Sequence, residues 1–366
     1  MTEHKIAILA GDGIGPEIME QAVKVLKFIE DRNDVTFNLM PGAFGASAWF
    51  ETGKSFPKET IAICDQADAI LKGTIGLSHE ESKKIPVDEQ PERGALLPMR
   101  KRYDTFANFR PVFLPPTLSH FSPLKPEIIG DGIDIMIIRE LVGGIYFGEK
   151  ETGINEQGLR YVKEVLEYDE ALIKRTVDVA FNIAMKRRKK LHNIHKSNVL
   201  KSSILWTDVI EESSKNFPEV EVHHMLVDAA ATHLCLNPCQ FDVMVMENMF
   251  GDILSDQAGG ILGSLGLMPS ACMGPEKAYY EPSHGSAPDI AGKNISNPYS
   301  MIGSVAMMLE MSFGMTEEAS NLWKAMESVF AAGYSTPDLS KPGAGVTMVS
   351  TDEFGDRVVA ALQATG

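Results

Sequence analysis

The chain has 366 residues, a length that predicts about two domains at roughly 150 residues each. Hydrophobic residues make up 44% of it and charged residues 23%, which excludes a largely disordered protein. The formal net charge of −16 argues against nucleic acids and against anionic membrane surfaces as partners. A small anionic ligand is not excluded, because it responds to local charge.

The sequence shows no apolar run close to the ~20 residues of a membrane span, and we see no signal peptide at its start. Four cysteines in a chain of this length predict reduced thiols in a cytoplasmic protein. Cys235 and Cys239 lie four positions apart, but a zinc site would need two further ligands. We therefore interpret both as buried thiols.

Strands and helices alternate in the first part of the chain, which predicts a mostly parallel sheet with helices on its faces. The predicted elements are a strand at 5–10, a helix from Pro16, a strand at 35–40, a helix at 59–67 and a strand at 69–72. The turn between the first strand and helix, GDGIGPE, resembles a dinucleotide fingerprint. Its third glycine position holds Pro16, however, and no acidic residue follows at the expected spacing, so we interpret it as a structural turn.

The rest of the chain predicts a more mixed arrangement. Strand-like segments occupy 105–112, 133–140, 144–150, 198–200, 223–228 and 242–246, a hairpin arm lies near 158–167, and helices span 169–190, 252–265 and 298–313. Five cations at 186–190 end the first of these helices. We interpret them as complementing the helix dipole rather than as a nucleic-acid patch.

A basic segment stands out against the acidic background. Residues 93–110 contain five cations and one acid, and Arg139 follows inside an apolar strand. Arginines in such places seldom persist without an anionic partner, and their planar forks suit carboxylates. We predict that Arg100, Arg110 and Arg139, at strand ends, form a polycarboxylate site. The alternative is that each one pairs with an acidic side chain of the protein.

Two aspartates, Asp252 and Asp256, are spaced to lie on one face of a helix. Unpaired, they would repel each other unless a cation bridged them, and oxygen ligands favour Mg²⁺ or Mn²⁺. Asp228, at the end of a predicted strand, is a possible third ligand. The alternative is a solvated acidic face.

Two side chains are candidate proton carriers, Tyr146 and Lys196, although neither would be notable alone. The stretch EPSHGSAPDIAGK at 281–293 is rich in Gly, Ser and Pro. Its composition predicts a ligand-binding loop that includes His284 and Asp289.

Together these segments resemble the isocitrate/isopropylmalate dehydrogenase family of β-hydroxyacid oxidative decarboxylases over nearly the whole chain. The motifs that carry the resemblance are GDGIGPE (11–17), EQPERGALLPMRK (89–101), ANFRPV (107–112), IRELVGGIYFGE (138–149), HKSNVL (195–200), VDAAATHL (227–234), ENMFGDILSD (247–256) and EPSHGSAPDIAGK (281–293). The resemblance implies a two-domain α/β fold that is not a Rossmann fold. The first domain, 1–104 with 263–366, has a largely parallel sheet and carries the NAD loop. The second, 105–262, is inserted into it and carries the metal and substrate residues, an arm and dimer helices.

The resemblance also implies an activity, the NAD- and metal-dependent oxidative decarboxylation of a 3-substituted malate by a cytoplasmic homodimer with shared active sites. The expected substrate is 3-isopropylmalate, giving 4-methyl-2-oxopentanoate and CO₂ in leucine biosynthesis. Alternatives are 3-methylmalate, D-malate or tartrate, and homoisocitrate. A catalytically silent carboxylate-binding protein is the alternative from another class.

The family pattern assigns expected roles to individual residues. Tyr146 and Lys196 are expected to be catalytic, with Lys196 supplied by the partner subunit. The expected substrate-binding residues are Arg100, Arg110, Arg139, Asp228, Leu96 and Glu92. Asp252 and Asp256, with Asp228 from the partner subunit, are expected to hold Mg²⁺ or Mn²⁺.

The same pattern assigns the cofactor residues. The expected NAD-binding residues are Glu281, His284, Gly285, Ser286, Ala287, Pro288, Asp289, Ile290 and Asn297. NAD is expected rather than NADP, because relatives that use NADP carry basic residues where Asp289 and Ile290 stand. A carboxylate at that place would repel a 2′-phosphate.

Three places depart from the usual family pattern. His195 replaces an aspartate before the catalytic lysine, residues 76–79 replace a Gly-Gly-Pro stretch, and Leu236 replaces a common arginine. Leu96 and Leu97 still offer an apolar wall to an isopropyl group, which favours 3-isopropylmalate by roughly 1–3 kcal/mol per methylene. The departures keep the other 3-substituted malates open as substrates.

Overall fold

The structure is a computed structural model that describes residues 2–339 and 345–364. The chain divides into two compact units: unit 1 comprises Met1–Tyr103, His120–Pro123 and Leu262–Gly366, and unit 2 comprises Asp104–Ser119 and Leu124–Ile261. The sequence-based bounds assign residues 120–123 to the second domain, whereas their contacts place them in unit 1. The domain assignment itself stays a prediction.

Strands account for fourteen elements of the described residues. They are β1 (Thr2–Leu9), β2 (Val35–Pro41), β3 (Ala69–Lys72), β4 (Ala107–Leu114), β5 (Ile133–Glu140), β6 (Lys150–Ile154), β7 (Arg160–Glu164), β8 (Lys190–His195), β9 (Glu221–Leu226), β10 (Val243–Met246), β11 (Pro269–Met273), β12 (Ala278–Pro282), β13 (Tyr334–Ser335) and β14 (Thr347–Met348).

Helices account for thirteen elements of the same residues. They are α1 (Gly15–Arg32), α2 (Ala46–Thr52), α3 (Lys58–Gln66), α4 (His79–Ser82), α5 (Leu97–Arg102), α6 (Pro126–Ile129), α7 (Glu170–Lys186), α8 (Lys201–Ser214), α9 (Val227–Leu236), α10 (Asn248–Leu262), α11 (Tyr299–Met311), α12 (Thr316–Ala331) and α13 (Thr351–Ala364). Within the described ranges, none of these helices combines the length and the apolar character needed to cross a membrane.

Unit 1 is built on strands in the order β2-β1-β3-β12-β11, all parallel to their neighbours except β11, which is antiparallel to β12. Helix α1 begins beside Pro16, whose missing N–H costs nothing in the first turn. The apolar side chains of α1, among them Ile18, Val25 and Ile29, are buried, and α13 packs along this helix. Strand β3 is buried along its whole length, which explains its continuous apolar run.

Unit 2 is built on strands in the order β4-β5-β10-β8-β9, with β4 antiparallel to β5 and the other pairs parallel. Because β5, β10, β8 and β9 run in one direction, their carboxyl ends meet at a single edge of the sheet. Arg139 lies at the end of β5, Lys196 directly follows β8, and Asp228 follows β9. The separate hairpin β6–β7 is exposed over nearly all of its length.

Two of the predicted strands are wrong, and a third ends earlier than predicted. Residues 144–150 form no strand until Lys150; a 3₁₀ turn, Gly144–Tyr146, begins there, and Gly144 has a φ of +70° that an extended strand cannot use. Residues 198–200 lie in the turn before α8 rather than in a strand. The strand predicted at 223–228 is present as β9, but it ends at Leu226, and Asp228 lies in the first turn of α9.

The predicted helix 169–190 ends early, and this changes the interpretation of its cations. Helix α7 stops at Lys186, after which Lys189 adopts a φ of +59° and β8 begins. Arg187 donates to Asp134 and to the buried Asp242 at 2.7 and 2.8 Å. Arg187 therefore forms ion pairs with residues of neighbouring segments and does not serve to compensate a helix dipole.

The four cysteines are all free, as predicted. Cys64 and Cys272 are buried. The prediction of a buried thiol is wrong for Cys239, which is exposed, and Cys235 is only partly buried.

Candidate active site

The first part of the site is a set of paired charges on unit 2. Arg139 is 1% exposed, and its Nη1 donates to Asp252 Oδ1 while its Nε and Nη2 donate to Asn248 Oδ1 at 3.0 and 2.8 Å. Arg110 donates from Nη1 to Asp256 Oδ1 at 3.2 Å. Each of the two carboxylates therefore has an arginine beside it.

Helix α10 nevertheless presents Asp252 and Asp256 on one face, as the i, i+4 spacing predicted. Their side chains remain 37% and 53% exposed despite the arginine contacts. Burial raises the pKa of Asp256; Arg110 opposes this effect, and the charge of Asp252 adds to it. Two half-open carboxylates that repel each other are a suitable donor set for a hard divalent cation.

Tyr146 reaches the same carboxylate from the 3₁₀ turn Gly144–Tyr146. Its hydroxyl donates to Asp252 Oδ2 at 2.9 Å. Burial, reinforced by the charge of Asp252, raises the pKa of Tyr146 to about 12, so that the phenol keeps its proton at neutral pH. The Lys150 ammonium holds the turn by donating to the carbonyl oxygens of Ile145 and Tyr146 at 3.2 and 2.9 Å.

Lys196 and Asp228 form a second, more exposed pair on unit 2. Lys196 Nζ donates to Asp228 Oδ1 at 2.7 Å, and this hydrogen bond lowers the pKa of Asp228. Among the described residues, no three His, Cys, Asp or Glu side chains are grouped so as to hold a metal ion. The three aspartates predicted as ligands are therefore not brought together within one chain.

His195 takes the place where the family usually has an aspartate. Its Nδ1 accepts a hydrogen bond from the backbone N–H of Ser197 at 3.2 Å. Burial, together with the neighbouring His224, lowers the pKa of His195. The side chain before Lys196 is consequently a neutral imidazole at neutral pH, where the family pattern has a negative charge.

A network of buried acids lies next to Arg139, and no sequence pattern predicted it. The Tyr168 hydroxyl lies 3.0 Å from Glu140 Oε2 and 3.3 Å from Glu247 Oε2, and it accepts from the Asn248 N–H at 3.0 Å. A phenol has one proton, so it donates to one carboxylate at a time. Burial raises the pKa of both acids, that of Glu140 to about 7.

This network predicts a pH dependence of stability. An unfolded Glu140 releases its proton near 4.5, whereas the folded protein retains it up to about 7. Stability is therefore lost as the pH rises through this window, by up to about 3 kcal/mol. In urea unfolding at pH 5 and pH 8, the loss is expected to be smaller for Glu140→Gln than for wild type. Glu164→Gln on exposed β7 is the control, and parallel pH curves for wild type and Glu140→Gln would contradict the assignment.

Arg100 belongs to unit 1, and its predicted setting at a strand end is wrong. It lies in helix α5, directly after a π-helical turn, Pro91–Leu96, that contains Glu92 and Leu96. Its Nε donates to the Tyr279 hydroxyl at 2.9 Å, and its Nη2 lies 3.7 Å from Glu281 Oε1. Glu92 is exposed, while Leu96 is half-buried.

The predicted cofactor loop follows β12 in unit 1. Ser286 donates from Oγ to the carbonyl oxygen of Gly76 at 2.8 Å, and its own carbonyl accepts from the Ile14 N–H at 2.9 Å. His284 donates from Nδ1 to the Gly285 carbonyl at 2.9 Å and accepts at Nε2 from Ser300 at 2.8 Å, since burial lowers its pKa and favours the neutral ring. Gly285, Pro288 and Asp289 are exposed, and Ala287 and Ile290 are half-buried.

Asn297, the last of the predicted cofactor residues, lies outside the loop that follows β12. It is 1% exposed; its Nδ2 donates to Thr336 Oγ1 at 2.9 Å, and its Oδ1 accepts from the Tyr299 N–H at 2.8 Å. Both ends of the amide thus hold neighbouring segments of unit 1.

The glycine-rich turn has a clear structural use. A Cβ on Gly11 would lie 2.0 Å from the Thr74 carbonyl oxygen, and one on Gly13 would lie 2.0 Å from that of Ser286. Between them, Asp12 accepts from the N–H groups of Ala46, Ser47 and Gly76 at 3.0, 2.8 and 3.0 Å. The glycines therefore permit close backbone approaches, and Asp12 ties three segments of unit 1 together.

Comparisons with known proteins agree on the family. A family model described as isocitrate/isopropylmalate dehydrogenase matches residues 5–358. The chain is 47% identical to a 3-isopropylmalate dehydrogenase of Carboxydothermus hydrogenoformans, over 97% of this chain and 93% of the relative. It is 46% identical to that of Aquifex aeolicus, over 99% and 98% of the two chains.

Solved structures give the same result. An isocitrate dehydrogenase from Methylococcus capsulatus superposes with a TM-score of 0.86 at 30% identity, over 98% of this chain and 99% of that one. A beta-decarboxylating dehydrogenase from Thermococcus kodakarensis, in its apo form, superposes with a TM-score of 0.78 at 29% identity, over 99% and 96%. The predicted α/β fold is confirmed, and the chain belongs to the isocitrate/isopropylmalate dehydrogenase family as a decarboxylating dehydrogenase.

Proposed function

We propose that this enzyme oxidises and decarboxylates 3-isopropylmalate to 4-methyl-2-oxopentanoate and CO₂, with NAD and Mg²⁺ or Mn²⁺, as a step of leucine biosynthesis. The observation that carries the proposal is the identity of 45–47%, over nearly the whole chain, to relatives named 3-isopropylmalate dehydrogenase. The four free thiols agree with the cytoplasm as its location.

The substrate's two carboxylates suit the arginines described above. Arg100, Arg110 and Arg139 are nearly inaccessible to water, at 5%, 5% and 1% exposure, which strengthens their attraction for an anion. We propose that they bind the carboxylates, with Asp228 and Glu92 beside the polar groups and Leu96 beside the isopropyl group.

The donor set on α10 fits a divalent cation. Asp252 and Asp256 would hold it, together with Asp228 of a second copy. When bound, the metal supplies Lewis-acid polarisation of the C2 oxygen and compensates the negative charge that develops there. Glu281, His284–Ile290 and Asn297 would hold NAD, which would supply the acceptor for the hydride of C2. The exposed carboxylate of Asp289 favours ribose hydroxyls over a 2′-phosphate.

Two side chains move protons in this proposal. Lys196, as the neutral amine, accepts the proton of the C2 hydroxyl as the hydride leaves, and Asp228 stabilises the ammonium that forms through the 2.7 Å contact between Nζ and Oδ1. After CO₂ departs from C3, Tyr146 donates its proton to C3 of the enol. The pKa of about 12 keeps that proton on Tyr146 until carbanion character develops at C3.

The placement of the aspartates supports our proposal of a homodimer with shared active sites. Unit 2 exposes several large apolar side chains on the hairpin β6–β7 and near α8, α9 and α10. These are Ile154, Leu159, Val162, Val199, Ile204, Leu236 and Ile253. We propose that this surface pairs with a second copy, so that Lys196 and Asp228 of one chain serve Asp252 and Asp256 of the other.

A substrate panel tests the function. NADH formation would be measured with 3-isopropylmalate, 3-methylmalate, D-malate, tartrate and homoisocitrate, each with Mg²⁺ and with a chelator. We expect the highest kcat/KM for 3-isopropylmalate, a loss of roughly 10–200-fold for a substrate without the apolar branch, and no activity with chelator. Equal rates on D-malate and 3-isopropylmalate would overturn the apolar-pocket assignment, and full activity with chelator would overturn the metal.

A further inference from the structure

A buried lysine that none of the proposed steps uses lies in unit 1. Lys72 is the last residue of β3 and is only 2% exposed. Its Nζ lies 2.6 Å from Glu281 Oε2 and donates to the Gly73 carbonyl oxygen at 2.8 Å. A buried ammonium is costly unless an anion compensates it, and Glu281 is the anion in contact.

The pairing is built into the sheet. Strands β3 and β12 are parallel neighbours, with Ile70 opposite Tyr279 and Leu71 opposite Tyr280. The next position in this register places Lys72 beside Glu281. A lysine that ends an otherwise apolar strand is thereby held next to one particular carboxylate.

Arg100 approaches the same carboxylate from its other oxygen. Its Nη2 lies 3.7 Å from Glu281 Oε1, which is longer than the 2.6 Å contact that Lys72 makes with Oε2. Glu281 is 6% exposed, so water screens these charges little. The three side chains carry two positive charges and one negative charge. Because its contact is shorter, Lys72 rather than Arg100 is the main ion-pair partner of Glu281.

The balance matters for Arg100, which our proposed function assigns to a substrate carboxylate. Without Lys72, Arg100 would be the cation of this cluster that compensates Glu281, and the pair would be neutral. A neutral pair attracts an anionic substrate less than an arginine with uncompensated charge does. Lys72 removes this competition.

We propose that Lys72 is a positioning residue that neutralises and holds Glu281, so that the positive charge of Arg100 is available to a carboxylate of the substrate. The inference rests on the proposed function, because only that function makes Arg100 a substrate ligand. Lys72 itself does not contact the substrate in this account.

A double-mutant cycle tests the proposal. The proteins are wild type, Lys72→Met, Glu281→Gln and the double variant, with Lys24→Met of the exposed Lys24–Asp356 pair as control. The dissociation constant of 3-isopropylmalate with Mg²⁺ would be measured by calorimetry without NAD, and KM and kcat with NAD. We expect Lys72→Met to weaken substrate binding at least about tenfold in wild type but less than about twofold in the Glu281→Gln background.

Other outcomes are distinct. Equal losses in both backgrounds would show that Lys72 contacts the substrate itself and would overturn the proposal, as would unchanged binding by Lys72→Met. Lys72→Met could fail to fold because it leaves the buried charge of Glu281 with too little compensation. The double variant lacks that charge. In that case the dissociation constants of the double variant and of Glu281→Gln are compared, and a loss of more than about twofold would overturn the proposal. A wild-type protein that binds and oxidises no diacid of the panel overturns the proposed function itself.

Discussion

Replacing Lys196 by alanine is expected to lower kcat by about 10²–10⁴-fold, the usual contribution of a positioned general base. The C2 hydroxyl would lose the group that accepts its proton as the hydride departs. The KM for the substrate is expected to change much less. Lys196 pairs with Asp228, and the substrate carboxylates are bound by the arginines rather than by Lys196.

The measurement is NADH formation under saturating substrate, NAD and Mg²⁺. Lys201→Ala, at the exposed start of α8, is the matched control and is expected to retain wild-type kcat. Small primary amines added to Lys196→Ala should restore part of the activity, since they can occupy the vacated position and accept the proton. A Lys196→Ala enzyme with full kcat would remove Lys196 from the mechanism.

Local patterns predicted which elements carry several of the candidate site residues. The four-residue spacing of Asp252 and Asp256 predicted one helix face, and α10 has that face. The apolar run before Arg139 predicted a strand, and Arg139 is the last residue but one of β5, before Glu140. These predictions succeed because each depends only on the repeat of a single helix or strand.

The remainder depends on pairings across distant parts of the chain. Lys72 and Glu281 are separated by more than half the sequence, and only the parallel register of β3 with β12 brings them to 2.6 Å. The spacing of Asp252 and Asp256 could not reveal that Arg139 and Arg110 compensate them. Arg100 was misassigned for a local reason, because the π-helical turn before α5 has no distinctive composition.

The separation of the predicted ligands within one chain has a functional consequence. Tyr146 and Asp252 contact each other at 2.9 Å, and Lys196 and Asp228 do so at 2.7 Å, yet no group of three acidic, His or Cys side chains suited to a metal occurs among residues 2–339 and 345–364. Our proposal that one pair comes from each of two copies would bring both pairs to one catalytic site. This arrangement is self-complementary, as the interface of a twofold dimer requires.

Mixing two inactive variants is therefore expected to restore activity. In a dimer of Lys196→Ala with Tyr146→Phe, one site combines the intact Tyr146 of the first chain with the intact Lys196 of the second, while the other site has neither. Random exchange at equal concentrations makes half of the dimers mixed, so about a quarter of wild-type activity is expected. The subunits would be exchanged by dilution or mild urea and assayed for NADH formation, with each variant exchanged against itself as control. Mixtures as inactive as their parents, despite exchange shown by differently tagged chains, would place Lys196 and Tyr146 in the same chain's site and contradict the shared-site proposal.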